Sequence, residues 1–69
     1  MVQAFGGWLV AQAGRHDWVG LLGDQAARDP GFPRNGDAEA VRARLSLLGA
    51  DADAWDQLEH AEAEWLRAR

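Results

Sequence analysis

The stretch RDPGFPRNG, at residues 28–36, decides how this chain folds. Residues 30–36 hold two prolines, two glycines and an asparagine, which is typical of a tight turn and too short to link two domains. Because a proline disfavours helical geometry in the residue before it, Pro30 predicts that the preceding helix ends near Asp29. Phe32 lies between Pro30 and Pro33, and we predict that its ring is anchored in the core.

The first helix is predicted over residues 3–13 from the helical spacing of its apolar side chains, with Gly14 at its C-terminus. Its inward face consists of Phe5, Trp8, Leu9 and Gln12. Gly6 and Gly7 each cost a helix roughly 1 kcal/mol relative to alanine. So short a helix with two glycines must therefore be held by packing, and we expect it to lie against the rest of the chain.

Three further helices are predicted from capping residues and periodicity. Aspartate is a good N-cap, so the second helix begins after Asp17, the third after Asp37, and the fourth after Asp51 or Asp53. Gly49 ends the third helix. The residues expected to face inward are Val19, Leu22, Gly23 and Ala26 in the second helix, Val41, Leu45 and Leu48 in the third, and Trp55 or Ala54, Leu58, Ala61, Trp65 and Leu66 in the fourth. The small members of the second set predict that another helix approaches closely.

Length and composition predict the fold class. A chain of 69 residues fills one small domain, and its eighteen large apolar side chains, four of them tryptophan, provide a core without any cysteine for disulfides or thiolate zinc sites. No run alternates apolar and polar residues with period two, so no strand is predicted. We therefore expect an all-α, compact single domain over residues 1–69, a bundle of four short helices, or five.

The charge balance bears on the choice of partners. Seven arginines and no lysine oppose eleven acidic residues, which gives a net charge of -4. Such a chain repels phosphate backbones and anionic membrane surfaces, so neither nucleic acid nor a membrane is an expected partner. The alternative is a nucleic-acid accessory role for the arginines around the turn (Arg15, Arg28, Arg34) with a second group (Arg42, Arg44, Arg67, Arg69). Neighbouring aspartates largely cancel the first group.

Residues 5–13 are fairly apolar and end in Ala11-Gln12-Ala13, which imitates a signal-peptide cleavage site. A secretory signal also needs a basic start and a longer apolar run, and here residues 1–5 carry no positive charge. No stretch approaches the roughly 18 apolar residues that a membrane span needs. We therefore expect a cytoplasmic protein.

The order of these features resembles a known family. The matching residues are Phe5, Trp8 and Leu9, then Arg15-His16-Asp17, Val19, Gly20 and Leu22, then Arg28-Asp29-Pro30-Gly31-Phe32-Pro33-Arg34, and finally Ala61 and Trp65. Over nearly the whole chain this pattern resembles the YozE family of small bacterial proteins, and the Arg-Asp-Pro-x-Phe-Pro segment is its most specific part. The resemblance implies a small helical fold that is sterile-alpha-motif-like (SAM-like). Because that family is of uncharacterised function, the resemblance carries over no catalytic residue.

Catalytic and metal-binding chemistry find little support in the residues. Nucleophilic catalysis needs a nucleophile beside a base, and the chain has no Cys, Thr, Lys or Tyr; Ser46 has no histidine at helical spacing. A domain of this size also has little space for a substrate pocket. His60 and Glu64 share a helix face, but two ligands make at best a weak site, so we read them as part of a solvated acidic face. No enzyme activity, cofactor, metal or small-molecule substrate is expected.

The functional signal that stands out is surplus hydrophobicity. Where the YozE family commonly has a non-aromatic residue opening helix two and a polar residue three positions later, this sequence has Trp18 and Leu21. They lie on the flank of the buried stripe, and the sequence leaves open whether they are core or solvent-facing, as it does for Val10. Leu47, with Ala40 and Ala43, forms a second apolar row, for which we expect burial in a wider core.

Small monomers seldom expose a contiguous apolar patch that binds nothing, and tryptophan is enriched at binding hot spots. We therefore predict a non-enzymatic protein-interaction module that self-associates or docks an unknown protein partner through Trp18 and Leu21. We also expect Trp8 and Trp65 to lie close to one another in the core.

Overall fold

Residues 3–68 are described by a computed structural model in which four α-helices follow one another along the chain. They are α1 (Phe5–Ala11), α2 (Trp18–Arg28), α3 (Ala38–Leu47) and α4 (Ala52–Ala68). This range contains no β-strand, and the Cα positions span 31 × 23 × 19 Å. The predicted compact all-α bundle is confirmed, with four helices rather than five. Within residues 3–68, none of the helices combines the length and the apolar character required to cross a bilayer.

Aspartates begin three of the four helices, as predicted. The Asp17 carboxylate accepts a hydrogen bond from the amide of Gly20 at 2.8 Å, which satisfies one of the unpaired donors at the start of α2. Asp37 does the same for Ala40 at the start of α3, at 3.0 Å. At α4 the first of the two candidates is used, since Asp51 Oδ1 accepts from the Ala54 amide at 2.9 Å.

The helix ends contain one confirmed prediction and one correction. Gly49 has φ +77°. Its amide donates to the Ser46 carbonyl, and the Ala50 amide donates to the Leu45 carbonyl. This pair of hydrogen bonds is the Schellman motif, which commonly ends a helix. By contrast, α1 is shorter than the predicted residues 3–13. It begins at Phe5 after an extended Ala4 that offers no side-chain cap, and the chain leaves the helix at Gln12.

α1 lies at the centre of the bundle and contacts each of the other three helices. Phe5 and Leu9, both on α1, are fully buried. The complete core consists of Phe5, Leu9, Val19, Leu22, Ala26, Phe32, Val41, Leu58 and Ala61. The rings of Trp8 and Trp65 both pack against Phe5, with ring centres 6.0 and 5.4 Å from it. Phe5 therefore joins the two tryptophans that the sequence predicted to be close.

Two glycines allow backbones to approach where a side chain would collide. A Cβ atom at Gly23 would lie 2.6 Å from the Leu9 carbonyl oxygen, so α2 crosses α1 at a distance that only glycine permits. A Cβ at Gly6 would collide with the carbonyl oxygen of Pro33, and the Gly6 amide donates to the Gly36 carbonyl at 3.0 Å. The predicted close approach along α2 is confirmed, and Gly6 is explained by contact with the turn.

The turn at residues 28–36 is held by packing against the core and by hydrogen bonds to α2 and α3. Phe32 is 7% exposed, so its predicted role as a core anchor is confirmed. The Asp29 carboxylate accepts from the Gly31 amide and forms two hydrogen bonds with the Arg44 guanidinium, at 2.8 and 2.6 Å. Arg34 donates to the carbonyl of Ala27 at 2.9 Å, a helix-terminal acceptor of α2. The sequence therefore places a hydrophobic anchor and a charged clamp in the same turn.

Three leucines that were expected to be buried are exposed. Leu48 and Leu66, predicted to face inward, are 57% and 49% exposed, and Leu47, expected in a wider core, is 76% exposed. The fully buried residue of α3 is Val41, through which the helix packs on α1. Leu48 lies beside Leu9 and Phe32 at the edge of the core, where more than half of its surface remains exposed. Val10 is half-buried and packs against the core.

Candidate functional site

α2 carries apolar residues on two faces, and only one of them is buried. The inward stripe of Val19, Leu22, Gly23 and Ala26 is buried as predicted. Trp18 and Leu21 lie on the other side and are 65% and 49% exposed. This answers the question that the sequence left open. Both candidate partner-binding residues face solvent, and they lie at i and i+3 along the helix.

The exposed face of α2 forms one wall of an open groove, which we call the apolar groove. Its hydrophobic lining, for which it is named, is Trp18, Leu21, Leu45, Leu48 and Ala54, and Gln25, Asp51, Asp53 and Gln57 line it as well. Its volume is about 460 Å³. The groove therefore joins the two predicted residues to a leucine, Leu48, that the sequence assigned to the core. Leu47 and Leu66 do not line it.

On the other side of Trp18 lies a second concavity of about 510 Å³, which we call the acidic groove. Its acidic lining residues are Asp17, Asp53, Asp56 and Glu64. Trp18 and Asp53 line both grooves, so the two are continuous around the indole. Carboxylates therefore line both sides of this surface, Asp51 and Asp53 in the apolar groove and Asp17, Asp53, Asp56 and Glu64 in the acidic groove.

Arg15 is the arginine that lines the acidic groove, and two carboxylates engage it. Its guanidinium is bonded to Glu64 and, at 2.6 Å, to Asp17. The Arg15 hydrogen bond is the main cause that holds the pKa of Glu64 below its ordinary value of 4.5. The pKa of Asp17 is also lowered, first by the Gly20 amide and then by Arg15, and the pKa of Arg15 is raised. Asp53 and Asp56 pair with no cation of residues 3–68.

Three further arginines, Arg34, Arg42 and Arg44, are also engaged within the fold. Arg44 pairs with Asp29, which raises the pKa of the guanidinium and lowers that of the carboxyl, in both cases chiefly through their hydrogen bonds. Arg42 pairs with Glu62. Of the turn arginines in the nucleic-acid hypothesis, Arg15 and Arg34 have intramolecular acceptors. A phosphate would compete with these contacts.

His60 and Glu64, the two residues weighed for metal binding, both line the acidic groove. Glu64, which could share a metal with His60, is bonded to Arg15. In the part of the chain that the structure describes, no three of its His, Asp and Glu side chains form a metal-binding group. Ser46 is exposed on α3, and His16 is exposed in the turn before α2.

Sequence reasoning missed two parts of the site. Leu48 was assigned to the inward face of the third helix, and its exposure has no signal in the apolar pattern, which does not show whether a face is covered. No local pattern indicates that Asp53 of α4 shares a groove with Trp18 of α2, because that contact depends on how the helices pack.

In comparisons with known proteins, no family model matches the chain, and no curated protein and no solved structure matches it. The resemblance to the YozE family stays a prediction. Evidence on function therefore comes from the exposed surface around Trp18 and Leu21.

Proposed function

We propose that this chain is a non-enzymatic protein-interaction module that docks a protein partner through Trp18 and Leu21. The observation that carries the proposal is the apolar groove, in which these two side chains are exposed beside Leu48. The core already contains nine buried apolar residues without them. Folding therefore gives no reason for a tryptophan at position 18, whereas binding does.

The size of the hydrophobic effect supports this assignment. Burying a large apolar side chain completely is worth about 1.5–3 kcal/mol, and Trp18 and Leu21 retain much of that gain for a complex. Aromatic residues at the centre of interfaces often account for 2 kcal/mol or more of binding free energy. A partner that covered both side chains would gain affinity without any change in the fold.

The proposal also includes a fold family and a cellular location. The Arg-Asp-Pro-x-Phe-Pro segment of the YozE resemblance supplies the Asp29–Arg44 clamp and the buried Phe32, which supports the proposal of a YozE-like, SAM-like bundle. A cytoplasmic location stays a prediction. No catalytic, cofactor or small-molecule role belongs to the proposal.

The test compares two double variants in the native host. Trp18→Ala/Leu21→Ala removes the exposed face of α2, and Leu47→Ala/Leu66→Ala removes two exposed leucines outside the apolar groove. In quantitative cross-linking, we expect the first variant to lose the partner and the second to keep it. Both should retain the helical circular-dichroism signal. Unfolding of the first variant, or equal capture by both, would contradict the proposal.

The nucleic-acid alternative has its own test. Electrostatic binding to phosphates is strongest at low salt. A gel shift with duplex and single-stranded DNA and RNA at low ionic strength should show no complex if the arginines are engaged within the fold. A complex that weakens steeply as salt is added would favour the alternative.

A further inference from the structure

We infer that the partner presents a basic amphipathic helix to this surface, an inference that rests on the proposed function. The apolar groove would take the hydrophobic face of that helix, and the acidic groove would take its Lys or Arg side chains. The continuity of the two grooves around Trp18 is the juxtaposition that leads to this assignment.

The dimensions of the apolar groove favour a helical occupant. On α2 its wall runs from Trp18 past Leu21 to Gln25, seven positions that correspond to about 10 Å or two helical turns. Leu45 and Leu48 add hydrophobic surface to the same groove, and residues 49–51 with Asp53, Ala54 and Gln57 complete its lining. A groove of this kind between helices suits an amphipathic helix with anchors at i, i+3 or i+4, and i+7. Residues 3–68 contain no strand, so they offer no sheet edge to which an extended peptide could add.

The charges around Trp18 favour a cationic occupant. Asp53 and Asp56 have no cation partner among the described residues, and Asp51 lines the apolar groove near them. Arg15 is already bonded to Asp17 and Glu64. A Lys or Arg side chain from a partner would therefore meet unpaired carboxylates. It could also lie over the exposed indole, an arrangement that attracts cations electrostatically.

The same charges argue against a second copy of this chain as the occupant. Each copy carries a net charge of -4, and the arginine that lines the acidic groove is engaged by its own carboxylates. Two copies that met through this surface would bring together faces that both carry the carboxylates of Asp53 and Asp56, which pair with no cation among the described residues. A basic segment of another protein removes that repulsion.

The experiment is a selection of binders from a display library of random 16-residue peptides on the full-length protein. We expect the enriched peptides to carry net positive charge and to place apolar residues at helical spacing. Their affinity, measured by fluorescence anisotropy, should fall about 30-fold or more in Trp18→Ala, which is the effect of about 2 kcal/mol at 1.4 kcal/mol per tenfold change.

The charge contribution is tested with matched variants of unchanged size. Asp53→Asn/Asp56→Asn removes two carboxylates of the acidic groove, and Glu39→Gln/Glu59→Gln removes two exposed carboxylates outside it. At low salt we expect the first variant to weaken peptide binding several-fold and the second to leave it nearly unchanged. The difference should shrink at 1 M salt, where the screening length is only about 3 Å.

The outcomes separate this inference from the proposed function. Enriched peptides that need Trp18 but carry no positive charge, or that bind both charge variants equally, would overturn the basic-helix inference and leave the docking surface in place. A dimer that is detected by sedimentation velocity and dissociated by Trp18→Ala would also overturn the basic-helix inference, because the occupant would then be a second copy. No enriched peptide, or peptides insensitive to Trp18→Ala, would overturn both.

Discussion

The two faces of α2 carry similar hydrophobic residues, but one face is buried and the other is exposed. Leu22 is 3% exposed, and its neighbour Leu21 is 49% exposed. The inward face combines leucine and valine with Gly23 and Ala26, and these small residues let α1 approach. The outward face has the large side chains of Trp18 and Leu21. It has no small residue like Gly23 that would let a neighbouring backbone come close.

This difference teaches that side-chain size, as much as hydrophobicity, decides which face of a short helix is used for folding. A stripe with Gly23 at its centre fits a helix of the same chain at close range. The outward face, with a large aromatic ring, is left exposed. Substitutions on the two faces should therefore differ in their effect on stability.

The largest effect is expected for Phe32→Ala, because Phe32 packs beside Leu22 and Ala26 over the inward face of α2. Truncation of a fully packed phenylalanine costs about 3–5 kcal/mol, which is comparable with the whole stability of a small domain. Chemical denaturation should show a protein that is mostly unfolded in water. Phe32→Leu, which keeps most of the apolar volume, should remain folded. A denaturation midpoint like that of the unaltered chain would mean that the turn does not cover this face.

The sharpest test of the comparison is the pair Leu22→Ala and Leu21→Ala, the same substitution at adjacent positions. Leu22→Ala should lower the free energy of unfolding by about 2–5 kcal/mol, the usual range for a buried leucine. Leu21→Ala should change it by no more than about 0.5 kcal/mol, as for other surface sites. Urea denaturation followed by circular dichroism measures both. Equal losses would show that both faces belong to the core.

An intermediate effect is expected for Gly23→Ala. Alanine is the better helix former, but its Cβ would lie 2.6 Å from the Leu9 carbonyl oxygen and 2.8 Å from the Ala13 amide nitrogen. Because both neighbours are backbone atoms, the helices must separate, at a cost of about 1–3 kcal/mol. Gln25→Ala, on the exposed side of α2, is the control and should be neutral or slightly stabilising. A stabilising Gly23→Ala would show that α1 and α2 can move apart freely.

The smallest effect concerns the carboxylates at the two ends of α2. The pKa values of Asp17 and Asp29 are lowered in the folded chain from their ordinary 3.8, and that of Glu64 from 4.5. Their contribution to stability is therefore complete above the unfolded values and is lost as the pH falls through the lower folded values. We expect the thermal midpoint to begin to fall below about pH 4.5.

This decline should be modest, because partly exposed ion pairs contribute little. Asp29→Asn should reduce the acid dependence, and Asp24→Asn serves as the control. A midpoint that stays constant from pH 6 to pH 3 would contradict the prediction.

Local signals in the sequence were sufficient for the helices and the turn. The carboxylate of Asp17, the glycine at position 49 and the prolines around Phe32 act on residues a few positions away, so their effects can be read directly from the chain. Leu48 was predicted wrongly because periodicity finds an apolar face but does not show whether another element covers it. Trp18 could be singled out as surplus, but its acidic neighbours on α4 follow only from packing.

The central position of α1 has a consequence for synthesis of the chain. Phe5 packs against Trp65, and the Gln3 carbonyl accepts from the Trp65 indole across 62 positions. Translation proceeds from the N-terminus, so α1 is made well before the residue that completes its packing. A nascent chain cut short before Trp65 would leave one side of the Phe5 ring uncovered.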